Sequence, residues 1–187
     1  MDLPFDRCVD TVNTTEKGRP VVKLRTLAAL TALIAAVPAT AAARVPRDQA
    51  ERATAERTQR FLRAFERRDL RAVAALVDAR ATLVHPITFS GEQAPEARFV
   101  GRDQVLGYFR AAFELMGRID FVRERMSVVA GGRTSFVQAD GNFTTADGRP
   151  YRNVYLLRFD WRDGRIVSGE EYYNPVTFSE TFGRPLG

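Results

Sequence analysis

Residues 151–175 read YRNVYLLRFDWRDGRIVSGEEYYNP, and this stretch decides the fold of the chain. Successive side chains of a β-strand point to opposite faces, so alternate residues of its first arm share one face. That face carries Tyr151, Asn153, Tyr155, Leu157, Phe159 and Trp161. Asp163-Gly164 follows, a dipeptide that readily adopts the positive φ angles of a tight hairpin turn. The stretch therefore predicts an antiparallel hairpin whose second arm runs from Arg165 to Tyr173.

The geometry of this turn decides which side chains of the second arm share the face of Tyr155. A two-residue loop places Glu170 and Tyr172 on that face. A three-residue or bulged loop places Glu171 and Tyr173 there instead, because a slip of one residue exchanges the two faces of a strand. The sequence leaves both registers open.

A stretch with the order of a secretory signal peptide lies near the start of the chain. Lys23 and Arg25 precede the apolar run 27–37, and the small residues Ala41 and Ala43 follow it. A basic region, an apolar region and a small-residue cleavage site in this order are typical of such a peptide. The apolar run is too short to span a bilayer.

We therefore expect residues 1–43 to be a leader and signal peptide, and residues 44–187 to form a single domain of a periplasmic or secreted protein. Translation starts near Val22 in this interpretation, because residues 1–21 make an unusually long leader. Cys8 and both lysines lie in the leader, so the mature domain has no thiol nucleophile, disulfide or Schiff-base lysine. No stable membrane anchor is expected after cleavage.

The charge pattern argues against nucleic acid as a partner. The chain has a formal net charge of +5 and an isoelectric point near 9.9. Its arginines alternate with carboxylates, as in ERATAERTQR at 51–60 and FVRERM at 121–126, rather than forming one basic block. Such a pattern is typical of a solvated, mixed-charge surface.

Helical patterns dominate the first part of the predicted domain. Residues 46–68 are rich in helix formers, and Phe61 and Phe65 lie four residues apart on one face. Asp69 is a suitable N-cap for a second, shorter helix at 70–77.

A short strand, ATLVHP at 81–86, follows and ends at His85, because proline cannot continue a β-ladder. Residues 87–101 resemble a loop. A third helix is predicted at 101–117, and its inward face carries Val105, Phe109, Ala112, Phe113 and Met116.

From Ile119 onward the sequence predicts only strands. The segments 119–131 and 134–148 precede the hairpin, with turn signals at Gly131-Gly132 and Asp147-Gly148. Helices followed by a run of antiparallel strands indicate an α+β fold with three N-terminal helices on one face of a curved antiparallel sheet.

Two segments resemble the nuclear transport factor 2-like superfamily, in its SnoaL-like and ketosteroid isomerase-like branch. Residues 59–86, QRFLRAFERRDLRAVAALVDARATLVHP, are similar to the opening helices and first strand of that family. Residues 153–175 are similar to its closing hairpin, and the resemblance covers about residues 50–176. It implies a cone-shaped antiparallel sheet with three N-terminal helices on its concave face. It also implies an apolar pocket without a cofactor, and a homodimer.

Three positions differ from the catalytic pattern that this resemblance implies. His85 stands where the isomerases carry their aspartate base before a proline. Phe61 stands in place of a tyrosine donor, and Tyr155 in place of an aspartic acid donor. These three differences argue against a true ketosteroid isomerase.

The sequence nevertheless contains candidate residues for a catalysed proton transfer. His85 is the only histidine, which excludes multi-histidine zinc sites, and no metal motif is recognisable. We expect His85, Tyr155 and, in the bulged register, Glu171 to be catalytic. A structural ion pair with an arginine is the alternative for Glu171.

Ligand-binding positions are expected at Phe61, Phe65, Phe109, Phe113, Asn153, Leu157 and Tyr173. Helical spacing of the four phenylalanines is equally typical of a plain core. The expected ligand is a small, largely apolar organic molecule, and the expected chemistry is isomerisation, cyclisation or hydration. The alternative is a non-catalytic ligand-binding or dimerisation module of the same fold.

Overall fold

The computed structural model describes residues 47–93 and 95–183. The predicted leader, its cleavage site and the proposed translation start lie outside the described residues. The helices are α1 (Arg47–Glu66), α2 (Leu70–Ala75), α3 (Arg102–Leu115) and α4 (Pro175–Phe182). The strands are β1 (Val77–His85), β2 (Ala97–Val100), β3 (Met116–Arg118), β4 (Phe121–Val129), β5 (Thr134–Gly141), β6 (Phe143–Thr145), β7 (Pro150–Tyr151), β8 (Val154–Arg162) and β9 (Arg165–Tyr173).

The strands form one large sheet and one small sheet. The large sheet has six strands in the order β2-β1-β9-β8-β5-β4, and the small one has three in the order β3-β6-β7. The large sheet is curved and unclosed, which confirms the predicted α+β fold. All of its pairs are antiparallel except β1 with β9, which run parallel. No sequence signal indicated that parallel pair.

The predicted hairpin forms, and it combines a tight turn with a β-bulge. Asp163 and Gly164 have φ angles of 50° and 76°, so both central residues of the two-residue turn are left-handed. The pairing of the two strands then shifts between Asp160 and Trp161, and it skips Val167 on β9. A bulge of this kind inserts one extra residue and reverses the facing of everything beyond it.

The bulge settles the register of the hairpin. Tyr155 lies opposite Tyr173, and Leu157 lies opposite Glu171. Glu170 points to the other face, where its Oε1 accepts a hydrogen bond of 2.7 Å from Nη1 of Arg158. Of the two registers that the sequence leaves open, the structure has the bulged one.

The core lies between the large sheet and the helices α1 and α3. The Phe61 ring of α1 lies 4.9 Å from the Phe159 ring of β8 and 5.8 Å from the Phe109 ring of α3. Buried hydroxyls help to fix α1 on the sheet: the Thr58 hydroxyl donates to Oγ of Ser135 at 2.9 Å. Together these contacts hold α1 and α3 over the same face.

The structure differs from the sequence predictions in several places. The third helix ends at Leu115 rather than at residue 117, and Tyr151 belongs to β7 of the small sheet rather than to the first arm of the hairpin. The second helix ends at Ala75 rather than at residue 77, so β1 begins at Val77 and is nine residues long. The segment predicted as a loop contains β2, which pairs with β1. The unpredicted helix α4 begins after Asn174, whose side chain accepts from the N–H of Val176. Its first residue is Pro175, a favoured position for proline.

Candidate functional site

A cavity of about 320 Å³ opens between α3, the hairpin and α4. Nine of its lining side chains are aromatic: Phe65, Phe99, Tyr108, Phe121, Phe143, Tyr151, Tyr155, Tyr173 and Phe178. Its ionisable groups include His85, Glu96 and Glu171. The wall is thus mainly apolar with a few polar groups, which is the usual composition of a small-molecule site.

Three polar side chains meet at one carboxylate oxygen in this cavity. The Tyr108 hydroxyl donates to Oε2 of Glu171 at 2.8 Å. Nε2 of His85 lies 3.5 Å from the same oxygen. His85 is only 6% exposed, and its Nε2 is buried without a hydrogen-bond partner in the described structure. The cluster brings a carboxylate, which can accept a proton, next to a hydroxyl and an imidazole, which can donate one.

The local structure explains why these side chains converge. His85 is the last residue of β1, whose buried positions alternate toward the core. Glu171 faces the same interior only because of the bulge on β9. Tyr108 lies on α3, and its ring centroid is 4.7 Å from that of His85 in an edge-on contact. The ring of His85 also has Phe99 and Tyr173 as neighbours, each at 5.6 Å.

The tyrosines around Glu171 are held in their protonated form. Burial raises the pKa of Tyr108 well above its usual range, and the charge of Glu171 adds to the rise. Burial also raises the pKa of Tyr155 well above its usual range, with smaller effects from Tyr151 and Glu171. Both hydroxyls therefore keep their protons at neutral pH and can donate hydrogen bonds.

Asn153 and Tyr155 are connected through Tyr151. Asn153 Nδ2 donates to the Tyr151 hydroxyl at 2.7 Å and to the carbonyl of Asn174 at 3.1 Å. Its Oδ1 accepts from the backbone N–H groups of Val154 and Asn174 at 2.8 and 2.9 Å. A further hydrogen bond joins the hydroxyls of Tyr151 and Tyr155. Asn153 thus ties the start of β8 to the end of β9 and positions the two tyrosines.

The remaining predicted ligand-binding residues divide into three groups. Phe65 and Tyr173 line the large cavity with His85, Tyr155 and Glu171. A second, much smaller cavity of about 20 Å³ has walls that include Phe61, Phe109, Leu157 and Glu171. Phe113 packs on Phe65, with ring centroids 4.8 Å apart, and lines neither of these two cavities.

Sequence reasoning missed Tyr108, although a signal for it exists. Tyr108 follows Val105 by three residues and precedes Ala112 by four, which is the spacing of one helix face. Glu96 and Phe178 also line the cavity. They come from a segment predicted as loop and from the unpredicted helix α4, so no pattern pointed to them.

Within residues 47–93 and 95–183, no group of three or more His, Cys, Asp or Glu side chains is placed to hold a metal ion. The site that is present is a carboxylate with neighbouring hydroxyl and imidazole groups. Such a set can accept a proton from a ligand, return it, and stabilise negative charge on an oxygen.

Comparison with known proteins identifies the family. The family model described as SnoaL-like domain matches residues 58–169, and the chain belongs to this family. The uncharacterized protein YesE of Bacillus subtilis is 27% identical over 130 residues, which cover 68% of this chain and 86% of that protein.

Solved structures agree with this assignment. A Bacillus subtilis protein named as a candidate isomerase has a TM-score of 0.63 at 22% identity, covering 73% of this chain and 96% of its own. A candidate polyketide cyclase from Xanthomonas campestris pv. campestris has a TM-score of 0.56 at 19% identity, covering 69% and 96%. Identities this low support the fold alone. The resemblance and the fold predicted from the sequence are both confirmed.

Proposed function

We propose that this SnoaL-like domain binds a small, largely apolar organic molecule in the large cavity and catalyses a proton transfer there. The supporting observation is the carboxylate of Glu171 in an aromatic wall, with Tyr108 at 2.8 Å and Nε2 of His85 at 3.5 Å. The cavity volume of about 320 Å³ falls at the lower end of the range of roughly 300–1,000 Å³ for ligand pockets.

In the proposed reaction Glu171 is the base. Its carboxylate takes a proton from a carbon next to a carbonyl group, and the electron pair of the broken C–H bond moves to the carbonyl oxygen. Tyr155 donates its one hydroxyl hydrogen to Tyr151, and the Tyr151 hydroxyl, which accepts from Tyr155 and from Asn153, donates to that oxygen. The protonated Glu171 returns the proton at another carbon or at the oxygen, either directly or by passing it to Nε2 of His85 at 3.5 Å, and this gives isomerisation or prepares cyclisation or hydration.

The names of two structural relatives agree with this reaction class. One is a candidate isomerase and the other is a candidate polyketide cyclase. Both reactions move protons on a carbon framework, which the groups of this cavity are suited to do.

Solvent-hydrogen exchange tests the proposal without knowledge of the product. Ring ketones, with and without an amino substituent, are incubated with the protein in deuterated water, and incorporation at the carbon next to the carbonyl is followed by NMR. The wild-type protein should accelerate incorporation. Glu171→Gln should abolish this, because the amide still accepts from Tyr108 but is not a base.

The matched control is Glu114→Gln, which removes a carboxylate from an exposed position on α3. This variant should exchange at the wild-type rate. Exchange that persists in Glu171→Gln would refute the role of Glu171. Binding by the ketones without any exchange would favour the non-catalytic alternative.

Export and dimer formation are part of the same proposal. Val154 and Leu156 are 58% and 40% exposed on the outer face of β8, which favours burial against a second copy. Sedimentation equilibrium of residues 44–187 tests the dimer.

N-terminal sequencing of protein recovered from the periplasm or medium tests export and cleavage before Arg44. None of the described helices is both long and apolar enough to cross a membrane.

A further inference from the structure

We propose that the groove between α1 and α2 binds an organic anion that carries an apolar chain, such as a fatty-acid carboxylate. The groove has a volume of about 280 Å³ and is lined by three arginines and four small or medium apolar residues. None of these residues lines the large cavity that contains Glu171. The groove is therefore a second binding site, and it does not depend on the proposed reaction.

The rim of the groove is basic. Arg60, Arg63 and Arg67 of α1 line it, and all three are exposed. They are spaced three and then four residues apart, and residues with this spacing are neighbours on one face of a helix. The three positive charges therefore belong to the same side of α1, where their attraction for an anion adds up.

No carboxylate pairs with these arginines within the part of the chain that the structure describes. Ion pairs with carboxylates occur elsewhere in it, at Arg118, Arg123, Arg149 and Arg158. Nη1 of Arg63 donates to the neutral amide oxygen of Gln59 at 3.3 Å, which leaves its charge uncompensated. The groove thus presents cationic groups that remain available to a ligand.

The acidic residues beside these arginines in the sequence have other partners. Oε1 of Glu66 accepts from the backbone N–H of Phe121 at 2.9 Å. Oδ1 of Asp69 accepts from the N–H of Ala72 at 2.9 Å and caps α2. Glu56 lies one turn before Arg60 but does not line the groove. An anion that enters the groove therefore meets the arginines without a carboxylate among the lining residues.

The floor of the groove is apolar. Its lining residues are Ala64 of α1 and Ala72, Ala75 and Leu76 of α2 and its C-terminal end. Ala64 is only 2% exposed, and Ala72 and Leu76 pack against the core. A hydrocarbon chain on this floor removes apolar surface from water, which favours binding.

The two parts of the groove suit the two ends of one molecule. A planar guanidinium group forms paired N–H···O hydrogen bonds with a carboxylate or a phosphate. The methylene stem of an arginine also covers apolar surface while its charged end stays in water. An anionic head can therefore bind at the rim while its chain lies between the helices, whereas an inorganic anion would use the rim alone.

An NMR titration tests this inference on the groove itself. The probes are octanoate, octanol and inorganic phosphate, and binding is followed on the backbone N–H signals of Ala72 and Ala75 in isotope-labelled protein. These signals report the groove separately from the large cavity. Octanoate should shift both signals and bind at least about tenfold more tightly than octanol or phosphate, which is the scale of one hydrogen bond between charged groups.

Charge variants on α1 distinguish the groove from a general charge effect. Arg60→Gln and Arg63→Gln should each lower the affinity for octanoate by about fivefold, which is the scale of one exposed ion pair. Arg52→Gln is the matched control, because it removes the same charge from an exposed position of the same helix outside the groove. This variant should bind octanoate like the wild-type protein.

Four results would overturn the inference. Octanol that binds as tightly as octanoate would show that the arginines are not used, and phosphate that binds as tightly would show that the apolar floor is not used. An equal loss of affinity in Arg52→Gln and Arg60→Gln would show a general charge effect. Signals of Ala72 and Ala75 that octanoate does not move would exclude the groove, even if the protein bound to phosphatidylglycerol vesicles. The proposed function stands in each case, because the groove shares no lining residue with the large cavity.

Discussion

Removal of one buried hydroxyl tests whether Glu171 depends on Tyr108. In Tyr108→Phe the ring remains, but the hydrogen bond of 2.8 Å to Oε2 of Glu171 is lost. A hydrogen bond to a charged group contributes about 1.5–3 kcal/mol to stability. When its donor is removed, the buried carboxylate is left without that partner and the folded state carries the free-energy cost of its desolvation. We therefore expect Tyr108→Phe to lower the free energy of unfolding by about 1.5–3 kcal/mol.

The chain offers a matched control for this change. The Tyr172 hydroxyl donates to Oε2 of Glu170 at 3.0 Å, so the same two chemical groups pair on the outer face of the hairpin. Water can replace that donor and screens the pair. Tyr172→Phe should therefore cost less than about 1 kcal/mol.

Urea unfolding, monitored by circular dichroism, measures both variants under the same conditions. The slopes of the free energy of unfolding against urea concentration should be equal in the two variants, since neither change alters the surface exposed on unfolding. Equal losses in the two variants would refute the argument that burial strengthens the Tyr108–Glu171 hydrogen bond. An unchanged stability of Tyr108→Phe would refute it as well.

Two further predictions concern stability. The pKa values of Tyr108, Tyr151, Tyr155 and Tyr172 are raised, mainly by burial, so the folded state binds these protons more tightly than the unfolded state. The contribution of these protonated hydroxyls to the free energy of unfolding is therefore present below the ordinary tyrosine pKa of about 10, and it is lost as the pH rises beyond that value. Urea unfolding should show this decline, and a stability that stays constant to about pH 11 would contradict it. Asn153→Ala should lower the free energy of unfolding by about 3 kcal/mol or more, because four hydrogen bonds of a buried amide are lost together. Asn153→Asp keeps both acceptor contacts of Oδ1 but replaces the donor Nδ2 by a buried oxygen that faces the carbonyl of Asn174. Its loss of stability should therefore be larger at neutral pH, where the carboxyl group is charged, than at acidic pH, and a loss independent of pH would argue against the hydrogen bonds as the cause.

Much of the fold could be predicted from local patterns. The alternation of 151–161 and the Asp163-Gly164 turn are local properties, and both appear in the structure. The four-residue spacing of Phe61 and Phe65 likewise placed one face of α1 toward the core. His85 at the end of β1 follows from the proline after it. These features depend on neighbours in sequence, so the sequence determined them.

The partners of the site depend on contacts between distant segments. Tyr108 meets Glu171 across 63 positions of the chain. The parallel pairing of β1 with β9 and the covering helix α4 are non-local in the same sense, and no local pattern specified them.

Glu170 and Glu171 show most clearly which features local sequence determines and which depend on distant contacts. The segment GEEYY at 169–173 places a glutamate and a tyrosine inward in either register, so its pattern cannot choose between them. The bulge at Val167 makes the choice. It places Glu171 beside Tyr108 in the cavity and leaves Glu170 to pair with Arg158 outside. The sequence determined a hairpin with an inward carboxylate, and the tertiary structure decided which one, because only the packed neighbours distinguish the two faces.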